Sequence, residues 1–256
     1  DKVTPMSNVL ALSIPFFALI FLGMFARAIG FIREDGALNL SKFAFFVALP
    51  PMMFMNVAAG TPEDILNWGF FWRYELATIT LFIVTALLAR FAFCLTRLES
   101  GIFGLNAAYP NYGYMGVPLA IMAFGDAAAM PLALMLFADT VILLMLTAAF
   151  VVGGAGGLVT ALRRTVLTLI KNPLLISVVA GLAFAASGLT LSGPIDTIIT
   201  MLAGAAAPVA LFALGATVYG QPLAKAVPEI ASISAARLLL HPAMVAALFL
   251  LLPGQD

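Results

Sequence analysis

Residues 106–119 read NAAYPNYGYMGVPL. This stretch lies inside a long apolar run, yet two prolines and two glycines fall within residues 110–118. A proline inside a helix removes a backbone donor and clashes with the preceding turn, so the stretch predicts a broken helix. Backbone groups freed at membrane depth are tolerated only where protein or a water-filled cavity satisfies them. We therefore expect the break, formed by Pro110, Gly116 and Pro118, to line a binding site; a kinked structural helix is the alternative.

The composition is that of an integral membrane protein. Of the 256 residues, 63% are hydrophobic and 9% are charged, and the mean hydropathy is +1.12. A soluble domain is about 45–50% apolar and about 25% charged, so this chain cannot cover a core with a polar surface. A soluble enzyme, a nucleic-acid binder and a disordered protein are excluded. The single cysteine, Cys94, rules out a disulfide framework within the chain, and we expect no metal site and no cofactor.

Eight apolar segments are long enough to cross the membrane as helices, which takes about 20 residues each. The segments are continuously apolar rather than alternating, which favours helices over a barrel. The predicted spans are residues 8–31, 40–60, 70–95, 102–124, 129–152, 171–191, 195–219 and 229–252. Residues 1–7 are interpreted as an N-terminal tail in which Met6 is a candidate native start. The predicted fold class is an all-α integral membrane protein.

The basic residues are segregated between alternate loops. One set of loops and helix ends carries Arg27, Arg33, Lys42, Arg90, Arg97, Arg163, Arg164, Lys171 and Lys225. The other set carries Lys2 and Arg73. The positive-inside rule then predicts a multi-pass protein of the cytoplasmic membrane, with its N-terminus outside and its basic loops in the cytoplasm. Residues 153–170 form a cytoplasmic loop in which 158–170 favours an amphipathic helix on the membrane surface; an early start of the sixth span is the alternative.

An offset of 158 residues relates the two halves of the chain. The matched pairs are Gly23 and Gly181, Gly30 and Gly188, Pro50 and Pro208, and Phe54 and Phe212. The offset spans five helices, and an odd number inverts the second half, as in many transporters. Residues 8–152 are thus predicted to form one five-helix repeat, and residues 171–256 the first three helices of a second. The counterpart of 106–118 falls beyond Asp256, so two helices of this fold are expected to be missing.

Ionisable side chains inside the spans are candidates for function because their burial is costly. Asp139 lies in the middle of the fifth span, where a functional and a structural role are both open. Arg237 and His241 share one face of the eighth span, as structural or ion-pair residues or, for Arg237, as a substrate contact. With Asp139 as the only mid-membrane acid, an intramembrane aspartyl protease, which needs two carboxylates, is excluded. No HExxH, GxSxG or P-loop occurs, so we expect no enzyme.

Four stretches together resemble the auxin efflux carrier family. They are PNYGYMGVPL from Pro110, KNPL from Lys171, APVALFALG from Ala207 and RLLLHP from Arg237. The resemblance implies ten helices in two inverted five-helix repeats, with broken fourth and ninth helices crossing at the centre. It also implies a dimeric scaffold of helices 1, 2, 6 and 7, beside which the other helices move as a transport domain. The short loop between spans five and six indicates a bacterial carrier.

The implied activity is elevator-type movement of a small organic anion, such as malonate, malate or an indole acid. On this resemblance Asn111 matches the crossover asparagine at the substrate site, and Glu75 matches an acid near the start of helix three that can be protonated. Polar groups near the break complete the expected substrate site: Asn106, Tyr112, Gly113 and Tyr114. Asp139 and Glu75 are the candidates for proton coupling, although Glu75 can also be interfacial. A sodium-coupled carrier of the bile-acid symporter type and a non-transporting membrane sensor are the alternatives.

Overall fold

In the computed structural model of the protein, every regular element of the described residues is a helix. The structure describes residues 6–59, 68–125, 128–151, 157–222 and 226–252, without the side chains of residues 6–12, 68, 113–114, 117–118, 121–122, 129–130, 151, 157–158, 161–162 and 164. The helices are α1 (Met6–Ala28), α2 (Glu34–Phe43), α3 (Leu49–Ala58), α4 (Trp68–Phe91), α5 (Arg97–Ala108), α6 (Val117–Phe124), α7 (Ala129–Val151), α8 (Gly157–Ile170), α9 (Pro173–Ser187), α10 (Gly193–Val218), α11 (Val227–Ala235) and α12 (His241–Leu251).

Each of the eight predicted spans coincides with a helix or a pair of consecutive helices. Five helical segments in the described part are long and apolar enough to cross a membrane: Glu34–Ala58, Gly69–Phe91, Pro131–Phe150, Gly193–Val218 and Val227–Leu251. Two shorter apolar helices, Ser13–Ala28 and Pro173–Ser187, fall at the first and sixth predicted spans. The prediction of an all-helical membrane protein is therefore confirmed.

Prolines set the local geometry of three spans. Turns of π-helix occupy Ala44–Ala48, Tyr112–Gly116 and Ala236–Leu240, and each ends two residues before a proline: Pro50, Pro118 and Pro242. A proline cannot donate its backbone hydrogen bond and crowds the carbonyl four residues earlier. Widening the preceding turn relieves this crowding without ending the helix. In the second and eighth spans, the helix thus runs on through the π turn as one long element.

The described helices group into two compact units that are interleaved in the sequence. The first unit contains α1, α2, α3, α6, α9 and α10, and so includes all four spans that the resemblance assigns to a scaffold. The second contains α4, α5, most of α7, α8, α11 and α12. The boundary within the fourth span falls between Pro110 and Asn111, so the two halves of the broken helix belong to different units.

Helices of the first unit approach one another closely at glycines. A Cβ on Gly23 of α1 would collide with the Phe212 carbonyl of α10, and one on Gly181 of α9 would come within 3.0 Å of the Phe54 carbonyl oxygen of α3. Both residues of one contact lie 158 positions from those of the other. The offset of 158 residues therefore relates two helix contacts in the structure, as well as matching residue types in the sequence.

The second unit is centred on α4 and α5. A Cβ on Gly104 would come within 2.9 Å of both the Phe82 carbonyl oxygen and the Ala86 side chain, so glycine sets the spacing of these two helices. The buried apolar core around this contact consists of Leu81, Phe82, Ala86, Ala107, Ala108, Leu143 and Ala236. Because α5 packs directly on α4, the end of α5 at the break is held by a well-packed neighbour.

The loop between the fifth and sixth spans contains a helix of its own. Lys171 and Asn172 interrupt the helical structure between α8 and α9, which separates α8 from the helix of the sixth predicted span. Arg163 is exposed on α8 and Leu169 is buried, as expected for an amphipathic helix. Residues 1–5 of the predicted tail, residues 153–156 of the loop, and Lys225 lie outside the described residues.

The close packing in the first unit yields a test with a matched control on one helix. A Cβ on Gly215 of α10 would collide with the Ile20 carbonyl of α1, whereas one on Gly204 of the same helix meets nothing within 4 Å. Gly215→Ala is expected to destabilise the protein by about 1–3 kcal/mol through overpacking. Gly204→Ala should be neutral or stabilising by up to about 1 kcal/mol, since alanine is the better helix former. Thermal unfolding in detergent measures both; equal shifts would contradict this packing.

Candidate functional site

The fourth span is broken where the sequence predicts. Helix α5 ends at Ala108, and Tyr109 leaves the helical region with φ −80° and ψ 113°. A residue before proline is pushed into extended backbone, so Pro110 accounts for this conformation. Helical structure resumes in the π turn that begins at Tyr112 and continues into α6. The span therefore consists of two half-helices joined by residues 109–111.

The end of the first half-helix is closed by Arg237. Its Nη1 donates to the carbonyl oxygens of Tyr109, at 2.7 Å, and Ala107, at 3.2 Å. The last carbonyls of a helix have no helical donor and carry the negative end of its dipole, so a guanidinium is a favourable cap. Arg237 was predicted as a structural or ion-pair residue, and these hydrogen bonds place its charge on backbone oxygens. Because Arg237 lies in the π turn before α12, the eighth span supports the break in the fourth.

The second half-helix begins with Asn111. Its backbone carbonyl accepts hydrogen bonds from the N–H groups of Gly116, at 2.8 Å, and Met115, at 3.3 Å. The Asn111 side chain is exposed and Tyr112 is 4% exposed. The side chains of Gly113, Tyr114 and Pro118 lie outside the described part, although their backbone is helical. The first N–H groups of a helix lack helical acceptors and carry its positive end, so this end can receive an anion.

A pair of buried carboxyl groups lies in the second unit. Glu75 is 5% exposed and Asp139 is fully buried. The two carboxyl groups are close enough to interact electrostatically. The Tyr74 hydroxyl donates to Asp139 Oδ2 at 3.3 Å. The interfacial interpretation of Glu75 is therefore wrong. Near the start of an apolar helix, residue type alone does not distinguish a buried from an interfacial carboxylate.

Further polar contacts connect the helices of the second unit. Thr78 Oγ1 lies 3.1 Å from His241 Nε2, and the Tyr109 hydroxyl lies 2.8 Å from Thr140 Oγ1. His241 is thus a half-buried histidine with a hydroxyl partner on α4. Asn106 lies on an exposed face of α5, away from the buried core of this unit. Of the eight buried polar or charged residues in the described part, all but Ser177 belong to the second unit.

One buried charge was not identified as a site residue from the sequence. Arg73, predicted to be an outer loop charge, lies on α4 and is 1% exposed. Its position near the end of an apolar run matches that of an interfacial arginine, so the sequence held no signal for its burial. Within the described ranges, no three His, Cys, Asp or Glu side chains are grouped closely enough to hold a metal ion.

Comparison with known proteins identifies the chain as a transporter. A family model described as "Membrane transport protein" matches residues 9–254. The chain belongs to this family. A "Putative malonate transporter" of Rhizobium meliloti (strain 1021) is 32% identical over 247 residues, which are 94% of this chain and 76% of that protein. An "Uncharacterized transporter" of Methanothermobacter thermautotrophicus is 28% identical over 239 residues, which are 89% of this chain and 74% of that protein.

The family assignment confirms the resemblance to the auxin efflux carriers and the prediction of a multi-pass membrane transporter. It also gives the broken span of this transporter a context. Broken helices near the bilayer midplane are common in transporters.

The cap on the first half-helix is testable in this transporter. Arg237→Met removes both hydrogen bonds to the carbonyls of Ala107 and Tyr109 and should destabilise the protein by about 1–3 kcal/mol. Arg163→Met on the exposed face of α8 is the control, for which a change within about 0.5 kcal/mol is expected. Thermal unfolding of both variants in detergent provides the comparison. An Arg237→Met protein as stable as the control would show that the cap contributes nothing.

Proposed function

We propose that this transporter carries a small organic anion, a carboxylate of the malonate, malate or auxin type, across the cytoplasmic membrane. The observation that supports the proposal is a difference between the two half-helix ends of the fourth span. The carbonyl end is occupied by Arg237, whereas the N–H end begins beside the exposed Asn111. The positive end of a helix dipole favours anions, particularly in a medium of low dielectric constant. The name of the Rhizobium relative supports the same substrate class.

In this proposal Asn111 is the principal substrate residue. Its amide donates to a carboxylate, while the backbone N–H groups of Gly113 and Tyr114 in the first turn supply further donors. The buried ring of Tyr112 shapes the apolar side of the pocket. Asn106, one turn before the break, serves the approach of the anion rather than its final position, because it lies on the exposed face of α5.

The carboxyl pair is the proposed site of proton coupling. Two adjacent buried carboxylates repel each other, so a single proton shared between Glu75 and Asp139 stabilises the pair. The Tyr74 hydroxyl, 3.3 Å from Asp139 Oδ2, stabilises whichever state carries more charge. Gain and loss of one proton at this pair would couple transport to the proton gradient.

An elevator mechanism is proposed on the division into two units. The proposed scaffold, which dimerises, consists of the first, second, sixth and seventh spans, all of which lie in the first unit. The proposed moving part consists of the other helices, including both halves of the fourth span; most of it is the second unit, which holds nearly all buried polar groups. The reciprocal contacts of Gly23 with Phe212 and of Gly181 with Phe54 support two inverted repeats, residues 8–152 and 171–256, joined by the loop 153–170. Two such repeats give a central site access from either side.

The proposed orientation follows from the positive-inside rule. The N-terminus lies outside, and the loops that carry Arg33, Arg97 and Lys171 face the cytoplasm. The bilayer itself is thus a partner of the chain, together with the anion and the proton.

Substrate binding at the break is tested with a pair of asparagine variants. Asn111→Ala should reduce malonate uptake into proteoliposomes at least about tenfold, because a hydrogen bond to a charged group contributes about 1.5–3 kcal/mol. Asn39→Ala removes an exposed amide from α2 and should leave uptake unchanged.

Three results would contradict the proposed function in different ways. Equal uptake by Asn111→Ala and Asn39→Ala would remove Asn111 from the substrate site. Uptake that requires a sodium gradient would favour a carrier of the bile-acid symporter type. Saturable malonate binding by the wild-type protein without any flux would favour a membrane sensor.

Proton coupling is tested by neutralising one member of the carboxyl pair. Glu75→Gln cannot release a proton, so uptake driven by a proton gradient should fall at least about tenfold, while exchange of internal for external malonate persists. Glu34→Gln, at a surface ion pair with Arg27, is the control and should retain both activities. Gradient-driven uptake by Glu75→Gln at the wild-type rate would exclude the pair as the coupling site.

A further inference from the structure

Arg73 presents a charged group that the fold buries without a hydrogen-bond acceptor. The side chain is 1% exposed, and its Nε and Nη2 atoms are both buried and make no hydrogen bond to any described residue. Buried donors are almost always paired, and a charged one left unpaired is especially costly. The combination therefore calls for an acceptor that comes from outside the described chain.

Two aromatic rings hold the guanidinium in place. Its central carbon lies 4.9 Å from the ring centroid of Phe249 on α12 and 5.5 Å from that of Trp72. Rings that stack on a guanidinium occupy its faces and stabilise the cation. They accept no in-plane hydrogen bond, so the edge that carries Nε and Nη2, although buried, still lacks an acceptor. That edge presents two parallel N–H donors whose spacing matches the two oxygens of a carboxylate.

The acid that follows Arg73 most closely along α4 leaves the helix on another side. Glu75 follows Arg73 by two residues, and two residues rotate an α-helix by about 200°. The Glu75 side chain therefore leaves the opposite side of α4, where its carboxyl group interacts with that of Asp139. In the described part of the chain, no carboxylate thus occupies the Nε–Nη2 edge.

We propose that the Nε–Nη2 edge of Arg73 binds a carboxylate through two parallel hydrogen bonds, and that this carboxylate belongs to the transported anion at a position within the second unit. The inference rests on the proposed function for the identity of the anion, and on the burial of Arg73 for the site. Arg73 then determines specificity: a planar carboxylate satisfies both donors at once, whereas a lysine at this position would offer a single point of attachment.

Equilibrium binding of radiolabelled malonate to the detergent-solubilised full chain tests the site. Arg73→Lys keeps the charge but loses the two-point contact, so the affinity should fall about tenfold or more; Arg73→Met should lose more. Arg163→Lys on the exposed face of α8 is the matched control and should bind as the wild type does. Thermal unfolding without ligand checks that each variant is folded. If Arg73→Met is not folded, the affinity of Arg73→Lys alone tests the proposal. Unchanged affinity of Arg73→Lys would overturn the proposal.

A second measurement uses a nearly native protein. The chain has two tryptophans, Trp68 and Trp72, and Trp68→Phe leaves Trp72 beside the guanidinium as the sole indole fluorophore. Malonate should change its emission saturably, over the same concentration range as binding, and Arg73→Lys in this background should abolish the change. The absence of any change would overturn the site. An equal effect of sulfate would overturn the assignment to a carboxylate.

The proposed function and the Arg73 site fail in distinguishable ways. Malonate binding that depends on Arg73, without flux into proteoliposomes, would reject transport and retain the site. Malonate flux by the wild type, with an affinity that does not depend on Arg73, would reject the site and retain the carrier.

Discussion

The carbonyls of Ala107 and Tyr109 require donors because Pro110 interrupts the hydrogen-bonded ladder of the fourth span, and lipid supplies none. Arg237 meets this requirement with one guanidinium nitrogen that reaches both oxygens. The same contact places a cation in the interior, where it is tolerated because the end of the half-helix carries partial negative charge. A broken span and a half-buried arginine, each costly alone, therefore stabilise each other.

This pairing explains the shape of the eighth span. Arg237 lies in the π turn Ala236–Leu240, which directly precedes His241 and Pro242. The wider turn relieves the crowding caused by the proline, and it forms the part of the span that faces α5. One turn further on, His241 reaches Thr78 on α4. The proline thus shapes the stretch of helix from which both polar side chains reach the neighbouring helices of the unit.

The helices and the break could be predicted from the sequence because apolar run length and proline act locally. Pro110 determines the backbone of Tyr109 whatever packs around it. The partners of the buried charges could not be predicted, since they depend on which helices meet. Arg237 was expected to contact substrate or an acid and instead donates to carbonyls that exist as acceptors only because of the break. The proximity of Glu75 to Asp139 and the burial of Arg73 against Phe249 depend on helices distant in the sequence.

The two units differ in the interactions that fill their interiors: close backbone packing in the first, and buried polar and charged side chains in the second. In the first unit, glycines such as Gly23 and Gly181 bring backbone against backbone, which maximises van der Waals contact and leaves few ways to rearrange. The second unit holds Arg73, Glu75 and Asp139 in its interior, where each uncompensated charge is costly. In the proposed mechanism, a substrate or a proton that compensates one of these charges changes the preferred position of this unit, because a ligand shifts only the equilibrium that it binds differentially.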